Sequence, residues 1–161
     1  MMKNPAAIPS IKTAISSEPF DSGHPDQQSF VIEAAVALGN IGGAEGESVL
    51  VPLLKAPGPI ADNAAIALAK ILRGNPERFF QRAGSDRSRI ADLAWAQAMA
   101  EIGGPDAVDE LVQMLERVER QAVASDRHAL PGIVSALVRT DTQGSLEILT
   151  RLLRSNNCAL L

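Results

Sequence analysis

Residues 33–42 read EAAVALGNIG, and residues 63–72, at a spacing of 30, read NAAIALAKIL. The pattern returns more loosely as WAQAMAEIG at residues 95–103 and faintly as IVSALVRT at residues 133–140. A fixed period of roughly 20 to 50 residues is typical of repeat architectures, in which each unit stacks on its neighbours. The sequence therefore predicts an array of about four units.

The composition indicates what kind of core such an array has. Apolar residues make up 46% of the chain, but aromatic residues make up only 3%, and tyrosine is absent. The core is therefore built from small and aliphatic side chains, which suits close-packed helices. A length of 161 residues is consistent with a single domain.

Each copy of the pattern has helical spacing. Val31, Ala35, Leu38 and Ile41 lie three or four residues apart, so they share one face of a helix, named here the A helix of the unit. Alanine recurs in two registers, at Ala35, Ala65 and Ala96 and at Ala37, Ala67, Ala98 and Ala136. Larger apolar residues share a third register, at Leu38, Leu68, Met99 and Leu137. We predict that the alanines let neighbouring A helices approach closely while the larger residues fill the core.

A second helix, the B helix, is predicted after each A helix. Gly42-Gly43 and Gly103-Gly104 follow the first and third A helices, where glycine can adopt the left-handed conformation that ends a helix. Asp26, Asp86 and Asp126 precede A helices and are interpreted as helix caps. The predicted B helices are Glu47–Ala56, Pro76–Ala83, Pro105–Arg117 and Gly144–Ser155.

Residues 34–42 match a known repeat motif, two alanines followed by Ala-Leu-Gly-x-Ile-Gly, and residues 64–72 and 95–103 match it in part. The motif resembles HEAT repeats of the phycobilisome-lyase type, over roughly residues 30–155. The resemblance implies an all-α fold: a right-handed α-α superhelix, or HEAT-like solenoid, of about four helix pairs plus an N-terminal helix. B helices then line its concave face.

The predicted organisation is one domain, 1–161. It comprises an N-terminal capping helix 6–16, a loop 17–28, helix-pair repeats 29–56, 59–83, 86–124 and 127–155, and a tail 156–161. Many HEAT relatives carry an arginine at the start of each A helix, where this chain has Phe30-Val31-Ile32, Ile60-Ala61-Asp62 and Ile90-Ala91-Asp92. A regular arginine ladder between repeats is therefore not expected.

The sequence offers little support for chemistry at a metal or cofactor. Families with this repeat include chromophore lyases, a di-iron hydroxylase, DNA-glycosylase-like proteins and non-catalytic adaptors. The hydroxylase relatives bind iron through His-Glu dipeptides, but the histidines here lie in His24-Pro25 and His128-Ala129. We therefore predict no metal, no cofactor and no catalytic residues.

Charge and targeting signals restrict the partner and the compartment. A net charge of −4 disfavours binding to a phosphate backbone, which needs clustered Lys and Arg, so no nucleic acid is expected. The chain shows neither a signal peptide nor an apolar run of membrane-spanning length, which predicts a cytoplasmic protein without membrane association. The terminal Cys158-Ala-Leu-Leu matches a prenylation pattern, but we interpret it as an ordinary chain end because its flank is barely basic.

The predicted function is a non-catalytic scaffold or adaptor that binds another protein through its B helices. The alternative is a lyase-like factor that binds or attaches a bilin chromophore.

The strongest positive cluster of the chain comprises the arginines at 73, 78, 82, 87 and 89. These arginines either contact a partner or form a solvated face paired with Asp106, Asp109 and Glu110. Trp95 either fills the core or anchors a partner. The predicted partner-binding residues are Arg78, Arg82, Asp109, Gln113, Arg117, Glu147, Arg151 and Arg154.

Overall fold

Helices account for every regular element in the part of the chain that the computed structural model describes, residues 4–16, 25–120, 129–140, 145–147 and 150. The all-α prediction is therefore confirmed for these residues. The α-helices are α1 (Ile8–Ser16), α2 (Pro25–Ile41), α3 (Gly43–Leu53), α4 (Pro59–Ile71), α5 (Pro76–Ala83), α6 (Asp92–Ile102), α7 (Pro105–Arg120) and α8 (Leu130–Thr140). Two 3-10 helices, Pro5–Ala7 and Gly84–Arg89, precede α1 and follow α5.

The helices form packed pairs in which the A helices make up one continuous row. Helix α2 packs on α4, α4 on α6 and α6 on α8. The B helix α3 packs on α2 and α4, α5 packs on α4, and α7 packs on α6 and α8. Helix α1 lies against α2 and α3, so it covers the first pair, as the predicted N-terminal helix should.

Glycine ends the first and third A helices, as predicted. Gly42 and Gly103 have φ angles of 81° and 69°, in the left-handed region that other residues avoid. The N–H of Gly42 donates to the carbonyl of Leu38 over 2.9 Å, and that of Gly103 donates to the carbonyl of Met99 over 3.0 Å. The chain therefore reverses immediately, and the B helix begins within two residues.

Helix α2 begins earlier than the sequence analysis predicts. It starts at Pro25, inside the segment 17–28 that the pattern assigns to a loop. Proline fits the first turn of a helix because the N–H that it lacks would have no partner there. Asp26 consequently lies within the first turn, where its charge complements the helix dipole.

Helix α6 begins later than predicted, and Asp86 does not cap it. Asp86 lies in the 3-10 helix Gly84–Arg89, where its carboxylate pairs with Arg89. Helix α6 starts at Asp92, and its flanking residue Ala91 donates its N–H to Asp62 Oδ1 of α4 over 2.7 Å. A carboxylate from the preceding repeat therefore takes the place of a local cap.

Helix α3 also differs from its predicted bounds, Glu47–Ala56. It begins at Gly43 and ends at Leu53, directly after Pro52. Proline removes one N–H donor and crowds the preceding turn, which favours the end of a helix. The next three residues continue as a tighter turn, in which the N–H of Leu54 donates to the carbonyl of Val51.

The row of A helices depends on small residues at its contacts. Gly39 of α2 lies directly over Ala67 of α4, and a Cβ atom built on Gly39 would stand 2.8 Å from both Cα and Cβ of Ala67. Ala35, Ala65 and Ala96 are fully buried, as are the larger residues Leu38, Leu68, Met99 and Leu137. The alanine register that contains Ala35 and the register of larger residues that contains Leu38 are therefore buried, as predicted.

Substitution of Gly39 by alanine should reduce stability. The added methyl group cannot fit without moving α2 away from backbone atoms of α4, so we expect a loss of about 1–3 kcal/mol in the free energy of unfolding. Gly84→Ala is the matched control, because a Cβ atom there meets no atom within 4 Å. Urea unfolding followed by circular dichroism measures both, and equal stability of the two variants would contradict the close-contact interpretation.

Candidate functional site

Helix α5 is short, and its sequence defines where it begins. The side chain of Asn75 accepts a hydrogen bond from the N–H of Arg78 over 3.2 Å, and Pro76 occupies the first turn. The bounds Pro76–Ala83 agree with the prediction. Because Arg78 and Arg82 are four residues apart, they lie one turn apart on the same face of the helix.

Both arginines bind a buried carboxylate of the preceding B helix. Arg78 donates from Nε and Nη2 to the two oxygens of Glu47, over 3.3 and 2.6 Å, and Arg82 donates from Nε to Glu47 Oε1 over 3.0 Å. The side chain of Glu47 is only 6% exposed, whereas those of Arg78 and Arg82 are 46% and 50% exposed. One carboxylate therefore fixes two half-exposed cations, and we name these three residues the Glu47 cluster.

The partner of these arginines differs from the one that the sequence analysis considered. Asp109 is exposed and Glu110 hydrogen-bonds to Trp95, so the arginines pair with Glu47 of α3 instead of α7. Glu47 gives a weak signal in the sequence, as a charged residue at the start of the apolar run 49–51. The pattern cannot show that its side chain is buried.

Neutralising Glu47 should destabilise the protein, because its two arginines would lose their charged acceptor. We expect Glu47→Gln to cost about 1–2 kcal/mol, less than for a fully buried pair because solvent screens the exposed guanidinium groups. Glu45→Gln, an exposed position on the same helix, has the same charge change and should cost a few tenths of a kcal/mol at most. Chemical unfolding near neutral pH would decide, and similar losses for both variants would argue against a role for the cluster.

Three aromatic residues pack together beside the Glu47 cluster. Phe79 is fully buried and Trp95 is 2% exposed, with 5.3 Å between their ring centroids. Phe80 is partly buried, and its ring centroid lies 6.2 Å from that of Trp95. Trp95 stands where the other repeats have Ala34 and Ala64, so a large ring fills the space beside the short α5. This confirms the core alternative for Trp95.

Trp95 also contacts two charged side chains. Its Nε1–H donates to Glu110 Oε1 of α7 over 3.0 Å, which satisfies the buried indole nitrogen. The guanidinium carbon of Arg87 lies 5.0 Å from the centroid of the Trp95 ring, a cation-π distance. Arg87 donates from Nη1 to the carbonyl of Ile90 over 3.0 Å and from Nη2 to Asp92.

An open depression lies next to this stack. It has a volume of about 610 Å³, and its residues come from the 3-10 helix, the start of α6 and α7. We name it the Arg87–Arg117 depression. It is lined by Gly84, Ser85, Arg87, Ser88, Ile90, Asp92 and Arg117.

The remaining predicted partner-binding residues are only partly located. Asp109, Gln113 and Arg117 are exposed on α7 at four-residue intervals, so they follow one face of that helix. Glu147 is exposed. Arg151, Arg154 and Cys158 lie outside the described residues. The predicted set therefore divides into the Glu47 cluster on α5 and an exposed stripe on α7.

A second charged cluster, which the sequence analysis missed, links three A helices near their C-terminal ends. Glu101 of α6 accepts from Arg73 Nη2 over 2.5 Å and from Arg139 Nη2 of α8 over 2.7 Å. The N–H of Gly74 also donates to the carbonyl of Ile102 over 2.8 Å. Glu101 stands where the other repeats have Asn40 and Lys70, and that change of charge is the available sequence signal.

The surroundings of Glu101 lower the pKa of its carboxyl group. Partial burial is the largest single influence and raises the pKa, but the hydrogen bonds from Arg73 and Arg139 and the attraction of both charges together outweigh it. The ionised form is therefore favoured in the folded protein. A lowered folded-state pKa contributes stability above the pKa of the unfolded chain, and that stability is lost as pH falls through the folded-state value.

Replacement of Glu101 by glutamine should therefore have a pH-dependent cost. Near pH 7 we expect a loss of about 1 kcal/mol, since both arginines are largely exposed. The difference from the wild-type protein should shrink as the pH falls below the unfolded-state pKa of about 4.3, and it should disappear only below the lowered folded-state pKa. Urea unfolding from about pH 3 to pH 7 measures it, with the exposed Glu33→Gln as the matched charge change. A cost that stays constant over this range would contradict the assignment.

The described residues contain no group of three or more His, Cys, Asp or Glu side chains arranged to hold a metal ion. In that same part of the chain no helix combines the length and the apolar character needed to cross a membrane.

Comparison with known proteins yields no relative: the chain matches no family model, and no curated protein or solved structure matches it at a significant level. Its class is therefore defined by its own architecture, an all-helical protein of packed helix pairs with an A row and flanking B helices.

Proposed function

We propose that this chain is a non-catalytic protein-binding scaffold that uses the exposed sides of α5 and α7. The proposal includes a HEAT-like superhelix in which these B helices line the concave face. The packing of each A helix on the next, with B helices on their flank, supports this arrangement. The observation that best supports the proposed function is the Glu47 cluster.

The Glu47 cluster fixes two cations in place before any partner arrives. Arg78 is held by two hydrogen bonds and Arg82 by one, while about half of each side chain is exposed to solvent. Flexible arginines lose about 2 kcal/mol of rotamer entropy when they are immobilised, and fixed ones lose less on binding. Such a surface favours a partner with an acidic patch, because complementary charge speeds association and excludes wrong partners.

The exposed stripe on α7 adds residues of mixed charge. Asp109, Gln113 and Arg117 present an acid, an amide and a cation along one line. A mixed pattern of this kind fixes the register of a partner more than it raises affinity. The partner surface is thus expected to carry acids opposite α5 and both charges opposite α7.

The test begins with the partner captured from an extract of the native host and then purified. Its affinity is measured by titration against the wild-type protein and against Arg78→Gln with Arg82→Gln. Loss of two preorganised cations should weaken binding by tenfold or more, with a reduced dependence on salt. Arg73→Gln is the matched control, since Arg73 is also an exposed arginine paired with a glutamate, but its partner is Glu101 and not Glu47.

Glu47→Gln provides a separate check on preorganisation. Its buried side chain is 6% exposed, so a partner hardly touches it, yet its loss frees both arginines. We expect weaker binding without the loss of any exposed charge. If the double arginine variant binds the purified partner as tightly as the wild type does, the proposed surface is wrong.

A further inference from the structure

The Arg87–Arg117 depression contains an exposed cation that no described residue pairs with. Arg117 forms no hydrogen bond or ion pair with any of the described residues, and its side chain is exposed. It follows Glu110 by two helical turns, so both lie on the face of α7 that is directed towards Trp95. The free charge therefore stands at the edge of the depression, next to the buried aromatic cluster.

The second arginine of the depression is held rigidly. Arg87 stacks on Trp95, while Nη1 and Nη2 each donate to a protein oxygen. A guanidinium group has five N–H donors, so each Nη nitrogen keeps a second hydrogen after these bonds. Arg87 thus remains a fixed donor, and no rearrangement is needed before it meets a ligand.

The charges around the depression leave a net positive site. Asp92 is paired with Arg87, and Asp86 is paired with Arg89, so their negative charges are already balanced. Arg117 adds an unbalanced positive charge. The exposed hydroxyl group of Ser88 adds a neutral donor that suits oxygen acceptors, whereas the hydroxyl group of Ser85 donates to Asp86 Oδ2.

We propose that the Arg87–Arg117 depression binds a phosphate-type oxyanion, either free or as the phosphate group of a small organic ligand. Arg117 and Arg87 supply charged donors, and Ser88 supplies a hydroxyl donor. The volume of about 610 Å³ exceeds that of one phosphate ion and leaves room for an organic group. This inference goes beyond the proposed protein-binding role, since it concerns a small ligand and needs no protein partner.

Trp95 makes the proposal directly measurable. It is the one tryptophan of the chain and there is no tyrosine, so all of this emission comes from the ring on which Arg87 stacks. Titration with sodium phosphate should change Trp95 fluorescence to saturation, while sodium chloride of equal ionic strength should not. Arg117→Gln should weaken phosphate binding about tenfold, as expected for the loss of one charge-assisted hydrogen bond.

The controls separate this site from general charge effects. Lys12→Gln removes the same charge from the exposed face of α1 and should leave phosphate affinity unchanged. Ser88→Ala should weaken binding by several-fold. Circular dichroism verifies that each variant is folded, so a loss of binding cannot be mistaken for unfolding.

The choice of anion identifies the source of the phosphate group. Tighter binding of glycerol 3-phosphate than of inorganic phosphate indicates a small organic phosphate, whereas equal affinity indicates that the free anion suffices. Either result supports the site. A response that chloride reproduces, the absence of any response, or an affinity that survives Arg117→Gln overturns it. Such an outcome would leave the proposed protein-binding function intact if Arg78 and Arg82 still govern partner affinity.

Discussion

The close approach of neighbouring A helices is the constraint on which the rest of the structure depends. Where Gly39 crosses Ala67, there is no space for one additional carbon atom. Helix backbones that approach so closely make many dispersion contacts along their length. These contacts compensate for the small apolar area that each alanine buries. The larger residues Leu38, Leu68 and Met99 are fully buried in the same core, which contains few aromatic residues.

The boundary between the second and third repeats shows what happens when this packing is disturbed. Helix α5 spans only Pro76–Ala83, so it covers less of the A row than α3 or α7 does. Trp95 takes the place of an alanine, and its ring packs on Phe79 to occupy the uncovered space. A tryptophan in the core brings a buried N–H donor, which Glu110 satisfies, and a ring face, on which Arg87 stacks. The polar contacts of Trp95 therefore follow from one packing requirement, and Arg87 of the 3-10 helix lines the same depression as Arg117 of α7.

The sequence predicts features that depend on one helix or one turn, and it fails for features that depend on the rotation of one helix against another. Glycine at 42 and 103 requires no partner to take a positive φ, and the start of α5 follows from Asn75-Pro76, so both predictions are confirmed. Asp86 looks like a local cap, but a carboxylate of α4 performs that role because the helices stand side by side. The sequence suggests acids of α7 as partners for the arginines of α5, yet these arginines bind Glu47 of α3. Helical periodicity gives the face on which a residue lies, but it does not say which neighbour meets that face.

The polar contacts of the A row and those of the B helices bear on stability and on function. In the A row, Asp62 and Glu101 bind groups of adjacent helices, and the lowered pKa of Glu101 shows that its charge stabilises the fold. In the B layer, the arginines of the Glu47 cluster keep about half of their surface in water, and Arg117 remains unpaired within the described residues. Charged contacts thus stabilise both layers, and the cations of the B helices also remain accessible to a ligand. A surface that is both rigidly fixed and incompletely neutralised is suited to recognition.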